Sequence, residues 1–197
     1  MLPNTQYRSN ETEAMDDFKL HGDELAVALD KIAKINQLLG GNQLTQDGIW
    51  KMIRDRDNKQ VIEIVDLGCG NGDMLLTLSV WAKKKQRRFN LMGVDANAFT
   101  VGYAASLSEK HEDRQYKCAD ILDVNFRLEP ADIILFTLTL HHFTDKQILQ
   151  LLKMAADVAR IGIVVNDLQR SRLSYVLFGW VGKLFHLGKM NIEDGKI

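Results

Sequence analysis

Proline is nearly missing from this 197-residue chain: Pro3 and Pro130 are the only two. Helices and strands can therefore run without interruption, and proline-rich linkers are excluded. Cysteine is as scarce. Cys69 and Cys118 cannot build a disulfide framework, and neither has His or Cys at metal-ligand spacing. An excess of one charge is also lacking. With 25 Lys+Arg against 26 Asp+Glu, the formal net charge of −1 gives no global attraction to nucleic acid or an anionic membrane. No apolar run reaches the ~20 residues of a membrane span, since 173–187 is shorter and contains Lys183. The polar start, MLPNTQYRSNETE, lacks the apolar stretch of a signal peptide. Together with the cysteine usage, this predicts a reducing, cytoplasmic setting.

What is present suffices for one globule, with 46% hydrophobic and 26% charged residues. After a polar arm over 1–12, Leu25, Leu29, Ile32, Ile35 and Leu39 recur at intervals of three and four, predicting a helix over 15–39. Gly40-Gly41 closes it, and a second helix runs from Thr45 as N-cap through Ile49, Trp50 and Ile53. Residues 1–60 thus read as an N-terminal arm and helical extension ahead of a second unit over 61–197. There the texture alternates. Strands are predicted over 61–65, 89–94, 115–119, 131–138 and 161–165, and helices over 72–85, 97–110, from Thr144, and over 171–187. The helix from Thr144 carries Leu149, Leu152, Ala156 and Ala159 as its apolar stripe. Such alternation means an α/β fold with a parallel, doubly wound, Rossmann-like sheet.

The sharpest motif is Asp66-Leu67-Gly68-Cys69-Gly70-Asn71-Gly72, between the first strand and the next helix. The dinucleotide fingerprint G-x-G-x-x-G needs its third glycine one residue later, where this chain has Asp73. A carboxylate in the first helical turn repels a diphosphate. Two acids beside bare backbone suit a ligand with an ammonium or sulfonium instead.

This D-x-G-x-G-x-G arrangement resembles motif I of the class I methyltransferases that use S-adenosylmethionine. By the resemblance, Gly68, Gly70 and Gly72 let the backbone approach the methionine moiety, and Asp66 orients the loop or meets the amino group. Asp95 lies 23 positions after Gly72 at the end of the second strand, near the ~20-residue interval of a βαβ unit. It can accept from both ribose hydroxyls, or serve as a helix cap before Asn97. In the family an acid placed like Asp120 meets the adenine amino group, while the next apolar residue, Ile121, packs on the ring. The implied cofactor set is Asp66, Gly68, Gly70, Gly72, Asp95, Ala96, Asp120, Ile121 and Thr137, holding S-adenosylmethionine and then S-adenosylhomocysteine.

The fourth strand runs into Leu140-His141-His142-Phe143, a stretch similar to one in many small-molecule members. His142 is the candidate general base, and His141 is expected to cap or pack beside the acceptor. Met15-Asp16, the 33–41 helix end and Asn166-Asp167-Leu168-Gln169-Arg170 look like a bacterial branch associated with polyketide or quinone-type pathways. That likeness implies a lid formed by the N-terminal helix, and Asn166 and Asp167 facing the acceptor pocket. Asp167 could equally start the next helix.

The implied reaction is methyl transfer to an oxygen or carbon of a small apolar acceptor. A cofactor-binding partner protein without turnover remains the alternative. The basic run Lys83-Lys84-Lys85-Gln86-Arg87-Arg88 reads as a solvated helix end rather than a nucleic-acid site. Five parallel strands in order 3-2-1-4-5 are expected, with the family's terminal antiparallel pair incomplete. The edge beside the fifth strand then needs covering by the tail, by residues beyond this sequence, or by a second copy in a homodimer.

Overall fold

A computed structural model describes residues 17–109 and 111–167 of the chain. Five strands, β1 (Val61–Leu67), β2 (Arg88–Asp95), β3 (Arg114–Cys118), β4 (Ala131–Thr137) and β5 (Ala159–Asn166), form one sheet. Its order is β3-β2-β1-β4-β5 and every pairing is parallel, as the alternating texture predicts. Among the described residues no strand pairs with the outer side of β5. The arm over 1–12, Met15-Asp16, the helix over 171–187 and the incomplete terminal pair lie outside those residues.

β4 is buried on both faces, which explains its unbroken apolar run. Ile133 and Leu135 join a core beneath α2 (Gly41–Ile53) and α3 (Asp73–Lys84). Ile134 and Phe136 point the other way, into a core with α5 (Asp145–Val158). α1 (Asp23–Leu38) and α4 (Ala98–Ser106) complete the helices.

Several boundaries differ from the sequence reading, each for a local reason. α1 starts at Asp23 because Gly22, at φ +99°, breaks the backbone before it. Leu39 at its end is exposed and is no part of the buried stripe. Gly40 is left-handed and serves as N-cap of α2, so Thr45 is not a cap but lies fully buried a turn inside the helix. α4 stops at Ser106 rather than running to 110. There the Ser106 hydroxyl turns back to the Tyr103 carbonyl, and buried Ser108 bonds Tyr116 of β3 at 2.9 Å. The basic run is not wholly solvated either. Arg87 is buried and donates to the carbonyls of Ile53, Arg54, Arg56 and Asp57 at the end of α2, beneath Trp50.

α5 begins at Thr144 with a reciprocal capping box to Gln147, as its sequence suggests. Its buried face is shifted, however. Leu151 and Ala155 are buried with Ile148 and Leu152 packed beside them, whereas Leu149 is 70% exposed. Accordingly, Leu151→Ala should cost about 2–5 kcal/mol and Leu149→Ala less than about 0.5 kcal/mol, measured as urea midpoints at constant m. Equal costs would refute the observed face.

Candidate functional site

The C-terminal ends of β1, β2 and β4 open onto a cavity of about 480 Å³, the crevice such sheets offer to ligands. Its floor is the glycine turn. Gly68, Gly70 and Gly72 all have positive φ (78°, 52° and 76°), a conformation side chains resist. A Cβ on Gly68 would overlap the Thr139 side chain, and one on Gly72 the Tyr116 hydroxyl. At Gly70 the added carbon would meet only Leu29 of α1, 3.9 Å away, so here the bare backbone faces the cavity. The sequence assigned one purpose to three glycines. In the structure Gly68 and Gly70 line the cavity, while Gly72 does not and instead admits Tyr116 beneath the turn.

Two carboxylates stand beside this turn. Asp95 ties it to β2: its Oδ2 accepts the Gly70 N–H at 3.0 Å and its Oδ1 the Asn97 N–H at 3.0 Å. Capping of α4 falls to Asn97, whose side chain accepts from the Thr100 N–H. Asp66 is 1% exposed, and its Oδ1 is buried without a hydrogen-bond partner among the described residues. Burial, then the nearby charge of Asp95, pushes its carboxyl from an ordinary 3.8 to about 7. Burial also raises Asp95, against the hydrogen bonds from its backbone neighbours.

The roof is α1, contributing Leu25, Leu29, Ile32, Ala33 and Asn36. Its seat was not foreseen. Gln37 of α1 and Asn42 of α2 both donate to Asp73, the latter at 2.8 Å, which anchors both helices to the first turn of α3. Asp30 accepts from Asn71 at 3.1 Å and from Tyr103 at 2.7 Å. Amides scattered over two helices leave no spacing signature, so sequence reading could not find them.

Ala96, Asp120, Ile121, Thr137, His141 and His142 also line the cavity. Asp120 accepts the Leu122 N–H at 2.8 Å, fixing the turn that leads to buried Ile121. His141 and His142 share a short 3₁₀ turn, with ring centroids 4.1 Å apart. Asp167 accepts the His141 backbone N–H at 3.1 Å and lies 2.6 Å from its Nδ1. A carboxylate only accepts, so in this pair the Nδ1 nitrogen is the donor. Asn166, expected at the acceptor pocket, instead turns its amide to α2, 2.8 Å from the Gly41 carbonyl and 3.0 Å from the Thr45 hydroxyl. Neither Asn166 nor Asp167 lines the cavity.

The profile of a family described as "Methyltransferase domain" matches residues 64–162, half of the chain. No curated protein matches the sequence. Among solved structures, the plantazolicin methyltransferase BamL, in complex with a triazolic desmethylPZN analog and SAH, is similar at TM-score 0.61 and 16% identity. That similarity covers 85% of this chain and 59% of BamL. The plantazolicin methyltransferase BpumL in complex with SAH is similar at TM-score 0.58 and 18% identity, over 84% of this chain and 60% of BpumL. The chain thus spans about three-fifths of the length of these structures.

The raised carboxyl of Asp66 has a measurable consequence. The folded chain keeps a proton that the unfolded chain loses above about pH 4. This contribution to stability is therefore complete at low pH and is lost as pH rises towards about 7. Asp66→Asn should remove that loss. Relative to the parent, the variant should gain up to about 4 kcal/mol between pH 4 and pH 8 in denaturant titrations. A pH-independent difference would refute the buried, protonated carboxyl.

Proposed function

The chain belongs to the methyltransferase-domain family, and from that premise we propose that it uses S-adenosylmethionine to methylate an oxygen or carbon of a small apolar, aromatic or quinone-like acceptor. The observation that carries this is the buried carboxylate of Asp66 and the half-buried one of Asp95 converging on a bare glycine turn. A buried acid with an unpartnered oxygen calls for a cationic or hydrogen-donating ligand. A nucleoside bearing an ammonium and a sulfonium meets both needs, whereas a diphosphate would face Asp66, Asp73 and Asp95.

When bound, S-adenosylmethionine supplies a methyl group on a positively charged sulfur, already activated for transfer. Asp66 receives the ammonium end, and the Gly68–Gly70 backbone lies against the amino-acid portion. Asp95 would accept from the ribose hydroxyls, Asp120 would meet the adenine amino group, and Ala96 and Ile121 would pack on the ring. Thr137 brings a buried hydroxyl to the same floor. The lid is α1, which lies over the cavity with an apolar underside that excludes water.

His141 replaces His142 as the base in this reading. With Nδ1 held by Asp167, its Nε2 takes the proton from an acceptor O–H as that oxygen accepts the methyl group. This favours an oxygen acceptor, a phenol or enol, over carbon. His142 beside it shapes the acceptor's approach.

Titration calorimetry with S-adenosylhomocysteine tests the first step. Saturable binding is expected, and Asp95→Ala should weaken it well over tenfold while the fold survives. Absence of binding to the parent chain would sink the reading. Turnover of phenolic acceptors should then fall about 10²–10⁴-fold in His141→Phe. Binding without turnover of any acceptor would leave a cofactor-binding partner protein instead.

A further inference from the structure

The last residue of β5 and the one that follows it face two ways. Asp167 holds His141 by both its backbone N–H and its ring. Asn166, one residue earlier, holds α2 at the Gly41 carbonyl and the Thr45 hydroxyl. Its own carbonyl accepts from the N–H of Leu138, a non-glycine residue held at φ +53° where β4 leads into the histidine turn. A bulky residue in that conformation persists only where its surroundings impose it.

The α2 end of this link is as tightly built. A Cβ on Gly41 would overlap the Asn36 side chain of α1, and one on Gly48 would meet Val164 of β5 at 3.0 Å. Directly after Gly41, Asn42 accepts from Asn36 at 2.6 Å and donates to Asp73, a cavity-lining acid, at 2.8 Å. Hydrogen bonds and two steps along the backbone (41–42 and 166–167) therefore connect the roof of the cavity to the proposed base through Asn36, Asn42, the Gly41 carbonyl, Asn166, Asp167 and His141.

Resting on the methyl-transfer reading above, we infer that Asn166 is a positioning residue, joining the seat of the α1–α2 lid to the orientation of His141. Its amide touches neither His141 nor the cavity lining. It acts by fixing the end of β5, so that α2 in its seat and Asp167 on the imidazole belong to one arrangement. An unseated lid would then leave the base misaligned, and acceptor protons would move only in a site closed to water.

The test uses the full chain with ¹⁵N-labelled histidine, and it does not depend on turnover. In the parent, the His141 Nδ1–H held by Asp167 should give a downfield proton resonance. Asn166→Ala should shift or abolish that resonance and weaken S-adenosylhomocysteine binding about tenfold, while kcat falls more than KM changes. Thr45→Val removes one of the two acceptors without adding bulk, and should move the same readouts in the same direction by less. A folded Asn166→Ala with an unchanged His141 resonance and unchanged affinity overturns the inference. If Asn166→Ala does not fold, an unchanged resonance in Thr45→Val overturns it equally. If the parent binds no S-adenosylhomocysteine the functional reading fails, and the resonance still decides whether Asn166 positions His141.

Discussion

The turn from β1 into α3 leaves no room for side chains, and the site is arranged around that constraint. Gly68 lies against Thr139, Gly72 against Tyr116, and across the sheet Gly93 leaves 2.7 Å between an added Cβ and the sulfur of Cys69. Three separate parts of the chain therefore press on one loop. The backbone N–H groups of Gly68 and Cys69 bond the Val94 carbonyl, and that of Gly70 bonds Asp95, which locks the loop to β2. Positive φ at alternate positions turns the remaining peptide surface towards the cavity. A ligand then meets a floor that needs no rearrangement, and preorganisation of this kind reduces the entropy lost on binding.

Among the described residues, no lysine or arginine pairs with Asp66, Asp73 or Asp95 around that floor. Asp73 is held by Gln37 and Asn42, Asp95 by two backbone N–H groups, and Asp66 keeps one oxygen without a partner among the described residues. Amides satisfy a carboxylate's lone pairs without cancelling its charge. The cavity thus retains a negative character that suits a cationic ligand, at the cost of raising the carboxyls of Asp66, Asp73 and Asp95. Fixed salt bridges would have stabilised the empty fold better and bound such a ligand worse.

Much of this was legible in the sequence because its signals are local. The parallel order follows from alternating elements, and the crevice from Asp66, Asp95 and Asp120 at successive strand ends. What escaped was tertiary. Period alone put Leu149 on the buried face of α5, but the sheet receives Leu151 and Ala155, and a shift of one position changes which residues are exposed. Thr45 fits an N-cap by type, yet the left-handed Gly40 moves the helix start five residues earlier. Asn166 and Asp167 were visible as polar residues at a strand end. Which way each turns depends on α2 and the histidine turn, elements far away in the chain.

An activated methyl donor places a particular demand on the protein. Little chemical force need be applied, so rate is gained by alignment and by keeping water from the donor. A roof secured only by apolar contact would close over any filling of the cavity. Here α1 and α2 are joined through amides to Asp73 in the floor and through Asn166 to the end of β5. Closing therefore has a defined geometry. The residue that completes it is one peptide bond from the one that orients the imidazole. In the proposed reading, water exclusion and proton acceptance are built on the same strand end, and a site in which one fails is poorly placed to perform the other.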